Sequence, residues 1–421
     1  MNKKGNVLAI GIMFFLFAMI SFVTGLQNPM GIIAKAQFGA TNAMSQLGNA
    51  ANFIAYAFLG LPAGLLLKKK GYKFTALAAV TVGFIGVGIS YISGIVESFY
   101  VYLLGAFVSG FSMCMLNTVV NPMLNTLGGG GNKGNQLIQL GGSLNSLAAT
   151  IVPVLAGYLI GEVTAQTSVA DVNLALFIAM GIFALAFIII FFSQIPEPEL
   201  EAAAAEAKAG VKQESTMDSI KGALGHKNLI FGVIAIFLYV GIEVGIPNFM
   251  NLYMTDAATG LSIAASVAGS FVGAYWFLML CGRLVGSAVG AKVSSRAMMT
   301  TVAGVAILFL LLGMFLPSTI QVTFFDTKVP VGIMFFMLCG LCTSVMWGAI
   351  FNLAVAGLGK YTSIASGLFM VMVCGGGILP LVQGAVADGF GFINSYWVLI
   401  VALIYILWFA QMGSKMTKEE K

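Results

Sequence analysis

Long apolar runs, each about as long as a helix needs to cross a lipid bilayer, recur along almost the whole of this chain of 421 residues. A membrane-spanning helix requires about 20 mostly apolar residues. Only 8% of the residues are charged and 59% are hydrophobic, whereas about 25% of the residues of a soluble protein are charged. The sequence therefore predicts an all-α integral protein of the lipid bilayer with twelve transmembrane helices, at residues 8–34, 47–67, 74–94, 99–127, 136–160, 173–193, 228–254, 263–290, 297–316, 331–357, 362–386 and 392–412.

Lysine and arginine are confined almost entirely to one set of loops. If the N-terminus is cytoplasmic, seventeen of the twenty basic residues fall in cytoplasmic segments, and the exceptions are Lys35, Lys328 and Arg283. By the positive-inside rule, we expect a multi-pass protein with both termini in the cytoplasm, located in a bacterial inner membrane. The net charge of +5 does not indicate a nucleic-acid partner, because that function requires a basic patch on a water-soluble face.

The chain divides into two halves that resemble each other. Residues 194–227 are charged and rich in alanine, so they are expected to form a cytoplasmic connector between bundles of six helices at 1–193 and 228–421. Asn121 corresponds to Asn352 at an offset of 231 residues, and Pro153 corresponds to Pro380 at an offset of 227 residues. Nearly equal offsets indicate a duplicated unit. Two pseudo-symmetric bundles of six helices around a central site are typical of the major facilitator superfamily.

Several segments resemble one family within that superfamily. They are "GLGKYTSIASGLFMVMVCGGGILPLVQGAVAD" at 357–388, "FLYVGIEVGIPNF" at 237–249, "NPMLNTLG" at 121–128 and "LNSLAATIVPVLAGYLI" at 144–160. Together they are similar to the signature segments of the fucose:proton symporter family of sugar permeases. The resemblance implies transport of a monosaccharide or a related sugar, driven by a proton or, in some members, by sodium.

Two amides stand where the resemblance leads us to expect carboxylates. In the proton-driven fucose permeases, one carboxylate lies in the first helix and another in the fourth. A gapless reading places Asn28 and Asn117 at those positions. An amide cannot release a proton at physiological pH, so this chain is expected to lack the family's proton carriers.

Glu243 is the only acidic residue well inside a predicted helix. An ionisable group in the hydrocarbon layer is costly and indicates a functional site. We therefore expect Glu243 to couple transport to a cation, with sodium slightly favoured over a proton because of the two amides. A sodium ion near Glu243 would take its other ligands from nearby carbonyl or amide oxygens, and no other cofactor is expected. The alternative is a structural glutamate that only forms hydrogen bonds.

Arg283, in "CGRLVG", is the only basic residue inside a predicted helix. It lies near the expected cytoplasmic end of its helix, where a long side chain can reach water. A structural contact with carbonyl groups is expected in preference to contact with substrate.

Polar amides and large aromatic side chains are the candidate sugar contacts. Amides offer both a donor and an acceptor to sugar hydroxyls, and residues four apart, such as Asn117 and Asn121, share one helix face. Aromatic rings pack on the apolar faces of sugars. The alternative for each amide is a hydrogen bond between helices, worth about 1 kcal/mol. The predicted substrate-binding residues are Asn28, Asn117, Asn121, Gln139, Asn145, Tyr239, Asn248, Asn251, Trp276, Trp347 and Asn352.

The leading hypothesis is a secondary active sugar transporter that imports a hexose or related sugar by alternating access and functions as a monomer. An uncoupled sugar facilitator is the first alternative, and a membrane sensor that does not transport is the second. An enzyme is not expected, because the sequence shows no cluster of nucleophile, base and orienting residue and no phosphate-binding loop. The identity of the sugar stays open.

Overall fold

The computed structural model describes residues 3–25, 47–160, 172–198, 200–201, 204, 216–256, 259–324 and 326–415. Almost all of this part of the chain is helical. The helices of the first half and the connector are α1 (Lys3–Gly25), α2 (Leu47–Ile95), α3 (Phe99–Leu127), α4 (Gly131–Ile160), α5 (Asn173–Phe192) and α6 (Thr216–Leu224). Those of the second half are α7 (Lys227–Thr255), α8 (Ala265–Gly290), α9 (Ser295–Phe315), α10 (Val331–Thr343), α11 (Met346–Ala354), α12 (Thr362–Val371), α13 (Gly375–Phe390) and α14 (Phe392–Trp408).

The number of crossings agrees with the apolar pattern of the sequence. Ten helical stretches in the described ranges are long and apolar enough to cross a membrane. One of them, Ala50–Ile95, has 46 residues, which is about 70 Å of helix and twice what a bilayer requires. Gly71, at φ +81°, interrupts its helical geometry, so this stretch supplies two crossings. With the 30 residues of α4, the total reaches twelve, and the predicted all-α membrane fold is confirmed.

Two of the predicted transmembrane segments are each built from two helices. The tenth segment consists of α10 followed by α11, with Ser344 and Val345 between them. The eleventh consists of α12 and α13, joined by a 3-10 turn at Met372–Cys374. Interrupted helices free backbone groups inside a membrane protein, and these groups need partners from neighbouring helices.

A short hairpin, which the sequence analysis did not predict, joins α9 to α10. Strand β1 (Gln321–Phe324) pairs antiparallel with β2 (Thr327–Pro330), and Asp326 in the turn has φ +59°. The side chains of β1 are exposed. The ring of Phe324 contacts that of Phe271 on α8, with 5.1 Å between the centroids, so this contact anchors the hairpin to the helices.

The chain forms two compact units, and each contains a piece from the other half of the sequence. The first unit comprises Met1–Leu127, Leu147–His226 and Leu358–Cys374. The second comprises Gly128–Ser146, Lys227–Gly357 and Gly375–Lys421. The first part of α4 therefore packs within the second unit, and α12 packs within the first. The predicted division at 1–193, 194–227 and 228–421 follows the duplicated sequence, and it stays a prediction.

Close packing of glycines explains why α12 belongs to the first unit. Gly60 and Gly64 lie one helical turn apart on α2. A Cβ atom on Gly60 would lie 2.4 Å from the backbone nitrogen of Val371, and one on Gly64 would lie 2.7 Å from the carbonyl oxygen of Ser363. Only glycine allows the backbones of α2 and α12 to approach this closely.

Two side chains cap helix ends near the interruption of α2: Glu197 caps the helix start after Gly71, and Lys73 caps the end of α5. The Glu197 carboxylate accepts hydrogen bonds from the backbone N–H groups of Tyr72 at 2.6 Å and Lys73 at 2.8 Å. The ammonium of Lys73 donates to the carbonyl oxygens of Phe191 and Ser193, both at 2.8 Å. Negative charge at a helix start and positive charge at a helix end are both stabilising. Burial raises the pKa of the Glu197 carboxyl above its ordinary value, and the two backbone N–H groups oppose that rise.

Replacing Gly71 by alanine should destabilise the fold. The φ of +81° and ψ of 179° at this position are accessible essentially only to glycine, and forcing another residue into them costs about 1–3 kcal/mol. The new Cβ atom would also lie 2.3 Å from a carboxylate oxygen of Glu197. We expect a lower thermal unfolding midpoint of the purified protein in detergent. Gly181→Ala is the matched control, because no atom of the described residues lies within 4 Å of its Cβ position; equal midpoints for the two variants would contradict this prediction.

Candidate functional site

A buried ion pair joins α7 and α8. The Arg283 guanidinium lies 3.2 Å from the Glu243 carboxylate, measured from Nη2 to Oε1, and the two side chains are 10% and 15% exposed. It is the one salt bridge among the residues that the structure describes. Their pairing was not predicted from the sequence, and the structure shows that each is the other's counter-ion.

Arg283 also binds the first part of α4. Its Nη1 donates to the carbonyl oxygen of Gly142 at 2.8 Å, to the hydroxyl of Ser146 at 2.8 Å and to the side-chain oxygen of Asn145 at 3.4 Å. These contacts hold α4 to α8 within the second unit. The predicted contact of Arg283 with carbonyl groups is therefore present, and it occurs in the interior of the unit rather than at an exposed helix end.

The interruption between α10 and α11 is held by side chains from two other helices. The carbonyl oxygen of Ser344 accepts from Nε of Arg283 at 3.2 Å. The next carbonyl oxygen, that of Val345, accepts from the side-chain amide of Gln139 on α4 at 2.8 Å. The Val345 carbonyl also accepts from the backbone N–H of Ala349 at 3.2 Å, so both carbonyls at the interruption have partners, as buried backbone groups require. Gln139, predicted as a sugar contact, uses one donor here.

Hydroxyl groups link the ion pair to the end of α10. The hydroxyl of Tyr275 lies 3.0 Å from that of Thr343, the last residue of α10, and donates to the backbone carbonyl of Glu243 at 3.3 Å. The hydroxyl of Tyr239, one turn before Glu243 on α7, lies beside the Glu243 carboxylate. The end of α10 is therefore linked through Tyr275 to the backbone of α7, and the next residue, Ser344, is linked directly to Arg283.

Aromatic rings surround the same region of the second unit. The Tyr239 ring is fully buried and packs edge-on against Trp347 of α11, with 6.3 Å between the centroids. Trp276, half-buried on α8, packs edge-on against Tyr275 at 5.4 Å. Of the predicted residues, Asn145 contacts Arg283 directly, and Gln139, Tyr239, Trp276 and Trp347 pack on the helices around the ion pair.

Asn117 and Asn121, on α3 in the first unit, both form local hydrogen bonds. The Asn117 amide donates to the hydroxyl of Tyr56 at 3.1 Å and to the carbonyl of Met113 at 3.2 Å. The Asn121 amide donates to the carbonyl of Asn117 at 2.8 Å. Both asparagines are buried, and they share one face of α3 as their spacing predicts. The partner hydroxyl of Tyr56 was not anticipated from the sequence.

The remaining predicted amides occupy different environments. Asn352, on α11, donates to the hydroxyl of Ser295 at 2.8 Å, which is the helix-to-helix bond proposed as the alternative for each amide. Asn248 is exposed and Asn251 is partly exposed on α7. Asn28 lies outside the described residues. A role in substrate binding stays a prediction for all of these residues.

Five oxygen atoms surround one guanidinium in this site. They belong to one carboxylate, two backbone carbonyls, one amide and one hydroxyl. Carboxylate, carbonyl and hydroxyl oxygens are the groups that hold hard cations in proteins. The arrangement can therefore bind a positive charge, and in this structure Arg283 supplies it. A clue existed in the sequence, because Glu243 and Arg283 are the only charges of each sign placed well inside predicted helices.

Comparison with known proteins identifies the superfamily. The sequence profile of the Major Facilitator Superfamily matches residues 11–379. The chain belongs to the Major Facilitator Superfamily. Among curated members, a glucose/galactose transporter of Brucella abortus is 29% identical over 420 residues, which cover 98% of this chain and 96% of that protein. An L-fucose-proton symporter of Escherichia coli is 23% identical over 398 residues, covering 90% of this chain and 86% of the symporter.

Solved structures of superfamily members have the same fold. A crystal structure of the Escherichia coli fucose:proton symporter matches with a TM-score of 0.81 at 20% identity, covering 98% of this chain and 100% of that chain. The proton:xylose symporter matches with a TM-score of 0.72 at 13% identity, covering 99% and 98%. The resemblance to the fucose:proton symporter family inferred from the sequence motifs is thereby confirmed, as is the expectation that the chain is not an enzyme.

Proposed function

We propose that this superfamily member imports a hexose or related sugar, coupled to a cation, by alternating access. The curated relative that covers 98% of this chain is named a glucose/galactose transporter, which supports a hexose as substrate. The basic residues, concentrated in alternate loops, support an orientation with both termini in the cytoplasm.

The buried ion pair is the observation that supports coupling of sugar transport to a cation. Removing a carboxylate from water is costly. Carboxylates inside membrane proteins are therefore rare, and they mark ion pathways. Glu243 is the anion of the pair, so it is the group to which a coupling cation would bind. Sodium is favoured over a proton, because an amide occupies position 117 and because the guanidinium that pairs with the carboxylate is also bound by carbonyl and amide oxygens.

The sugar would bind to amides and rest against aromatic rings. Amides that donate and accept can pair with several hydroxyls, and a site of this kind rejects analogues that lack those hydroxyls. Tyrosine and tryptophan offer an apolar face together with a polar edge. The residues proposed for this role are Asn28, Asn117, Asn121, Gln139, Asn145, Tyr239, Asn248, Asn251, Trp276, Trp347 and Asn352.

A specific observation favours a second candidate, an uncoupled facilitator. Glu243 already has a counter-ion in Arg283, and an amide occupies position 117. A carrier whose carboxylate is permanently neutralised in this way would need no ion from solution. It would equilibrate sugar across the membrane without concentrating it.

Uptake by proteoliposomes tests the proposal. Labelled glucose, galactose and fucose are offered under an inward sodium gradient, under an inward proton gradient without sodium, and with no gradient. With one sodium ion per sugar, a tenfold gradient supports at most about tenfold accumulation, or about 1.4 kcal/mol. We expect accumulation of at least one sugar only with sodium. If a proton gradient drives accumulation in sodium-free buffer, the coupling ion is a proton and not sodium. If sugar equilibrates without accumulating under every gradient, the protein is an uncoupled facilitator.

A further inference from the structure

The guanidinium of Arg283 is held by one charged oxygen and four neutral ones. Glu243 supplies the charged oxygen. The neutral oxygens come from α4 and from the interruption between α10 and α11, and they belong to Gly142, Asn145, Ser146 and Ser344. A single arginine thus bridges four helical elements of one unit, and its charge is balanced at one point only.

A buried guanidinium that loses its counter-ion is strongly disfavoured. Breaking a buried ion pair leaves an uncompensated charge, and neutral hydrogen-bond acceptors do not replace the lost Coulomb attraction. Arginine carries its charge at every physiological pH, so it cannot respond by losing a proton. Its remaining response is to move towards water, which its long side chain permits.

We propose that Arg283 is a positioning residue whose hold on α4 and on the α10–α11 interruption depends on the charge of Glu243. This inference rests on the proposed function, in which a cation binds Glu243. When the cation neutralises the carboxylate, the guanidinium leaves its place, and its hydrogen bonds to Gly142, Ser146 and Ser344 break. Arg283 and the coupling cation thus compete for one carboxylate.

The consequence is that cation binding loosens two specific stretches of backbone. The freed stretch of α4 comprises residues 142–146, the last residues of the part of α4 that belongs to the second unit; from Leu147 onward α4 belongs to the first unit. The freed stretch of the tenth segment comprises residues 344–345, where the helix is already interrupted. The titratable and charged groups that face Glu243 are Arg283 and Tyr275 from α8 and Tyr239 from α7 itself.

Hydrogen–deuterium exchange of the purified full-length protein tests the inference without any transport measurement. Glu243→Gln keeps an oxygen that can accept from Arg283 but removes the charge. We expect backbone amides of residues 142–149 and 344–349 to exchange about tenfold faster in this variant than in the wild type, both in sodium-free choline chloride, as expected for loss of a charge-assisted hydrogen bond. Equal exchange in the two proteins would overturn the inference, because a purely structural clamp would not sense the charge.

Further samples separate this inference from the proposed function. Arg283→Lys keeps the positive charge but cannot contact five oxygens, so its exchange should be fast with or without sodium. Arg296→Gln is the matched control, because within the described residues Arg296 bonds Ser414 alone, at 3.4 Å, and exchange in α4 of this variant should equal that of the wild type. Sodium chloride should accelerate exchange in the wild type and leave Glu243→Gln unchanged. If exchange is fast in Glu243→Gln but exchange in the wild type changes neither with sodium nor with acid, the hold of Arg283 on the backbone is supported and a cation site at Glu243 is contradicted.

Discussion

Replacing Glu243 by glutamine should abolish gradient-driven accumulation of sugar while leaving exchange of sugar across the membrane intact. The amide cannot carry the charge that binds a cation, so the ion gradient can no longer be linked to sugar movement. Under a tenfold sodium gradient, the ratio of internal to external sugar should fall from about ten to one, a loss of about 1.4 kcal/mol of stored free energy. Counterflow, in which internal unlabelled sugar exchanges for external labelled sugar, should persist because it needs no gradient.

The retained exchange follows from the similar shapes of the two side chains. Glutamine has nearly the shape of glutamate, so it fills the same space beside Arg283, whose Nη2 lies 3.2 Å from the native carboxylate, and it introduces no steric clash. Asp388→Asn is the matched control, because this exposed carboxylate near the end of α13 lies outside the described salt bridge. Loss of counterflow together with accumulation would show that Glu243 is required for the sugar itself or for folding. Unchanged accumulation would exclude Glu243 as the coupling site.

Replacing Gly375 by alanine should prevent the second unit from folding stably. Gly375 is the first residue of α13, and a Cβ atom there would lie 2.0 Å from the carbonyl oxygen of Phe237 and 2.7 Å from its carbonyl carbon. Both are backbone atoms of α7, so no side-chain movement can relieve the clash. We expect a cost of about 3 kcal/mol or more, the upper end for overpacking a well-packed interior.

The close packing of α13 against α7 continues along α7, so a local shift of these helices is less able to relieve the clash at position 375. A Cβ atom on Gly241 would lie 2.3 Å from Leu379, and one on Gly245 would lie 2.5 Å from the side-chain oxygen of Gln383. Size-exclusion chromatography in detergent should show little monodisperse Gly375→Ala protein. Gly273→Ala is the control, because in the part of the chain that the structure describes nothing lies within 4 Å of its Cβ position. A thermal midpoint for Gly375→Ala equal to that of this control would show that α7 and α13 are less closely packed than described.

Long apolar runs were sufficient to predict the helices, because each crossing must satisfy its own backbone hydrogen bonds in lipid. They were not sufficient for the internal geometry of the helices. The two segments predicted at 47–67 and 74–94 are present, but the sequence did not indicate that a single non-helical residue, Gly71, separates their helices within Leu47–Ile95. The hairpin between α9 and α10 was missed because only four residues form each strand, which is too few for a clear alternation of polar and apolar residues.

The candidate site was only partly predictable for a related reason. Glu243 could be singled out because a charge inside a membrane helix is rare and costly. Its pairing with Arg283, and the contacts of Arg283 with α4 and Ser344, depend on how α7, α8 and α4 are rotated about their axes. The close packing of α12 against Gly60 and Gly64 also depends on tertiary contacts, and the duplicated sequence halves do not contain that information.

Sugar-evoked charge movement is the most direct test of the central claim that transport of a neutral sugar is coupled to a cation. Proteoliposomes on a solid-supported membrane are exposed to glucose or galactose at equal sodium concentration on both sides, and the current is recorded. Coupled import predicts an inward positive current in the wild type that disappears in Glu243→Gln. Wild-type proteoliposomes that take up labelled sugar yet give no current with sodium or with protons as the available cation would contradict the claim and identify the protein as a facilitator.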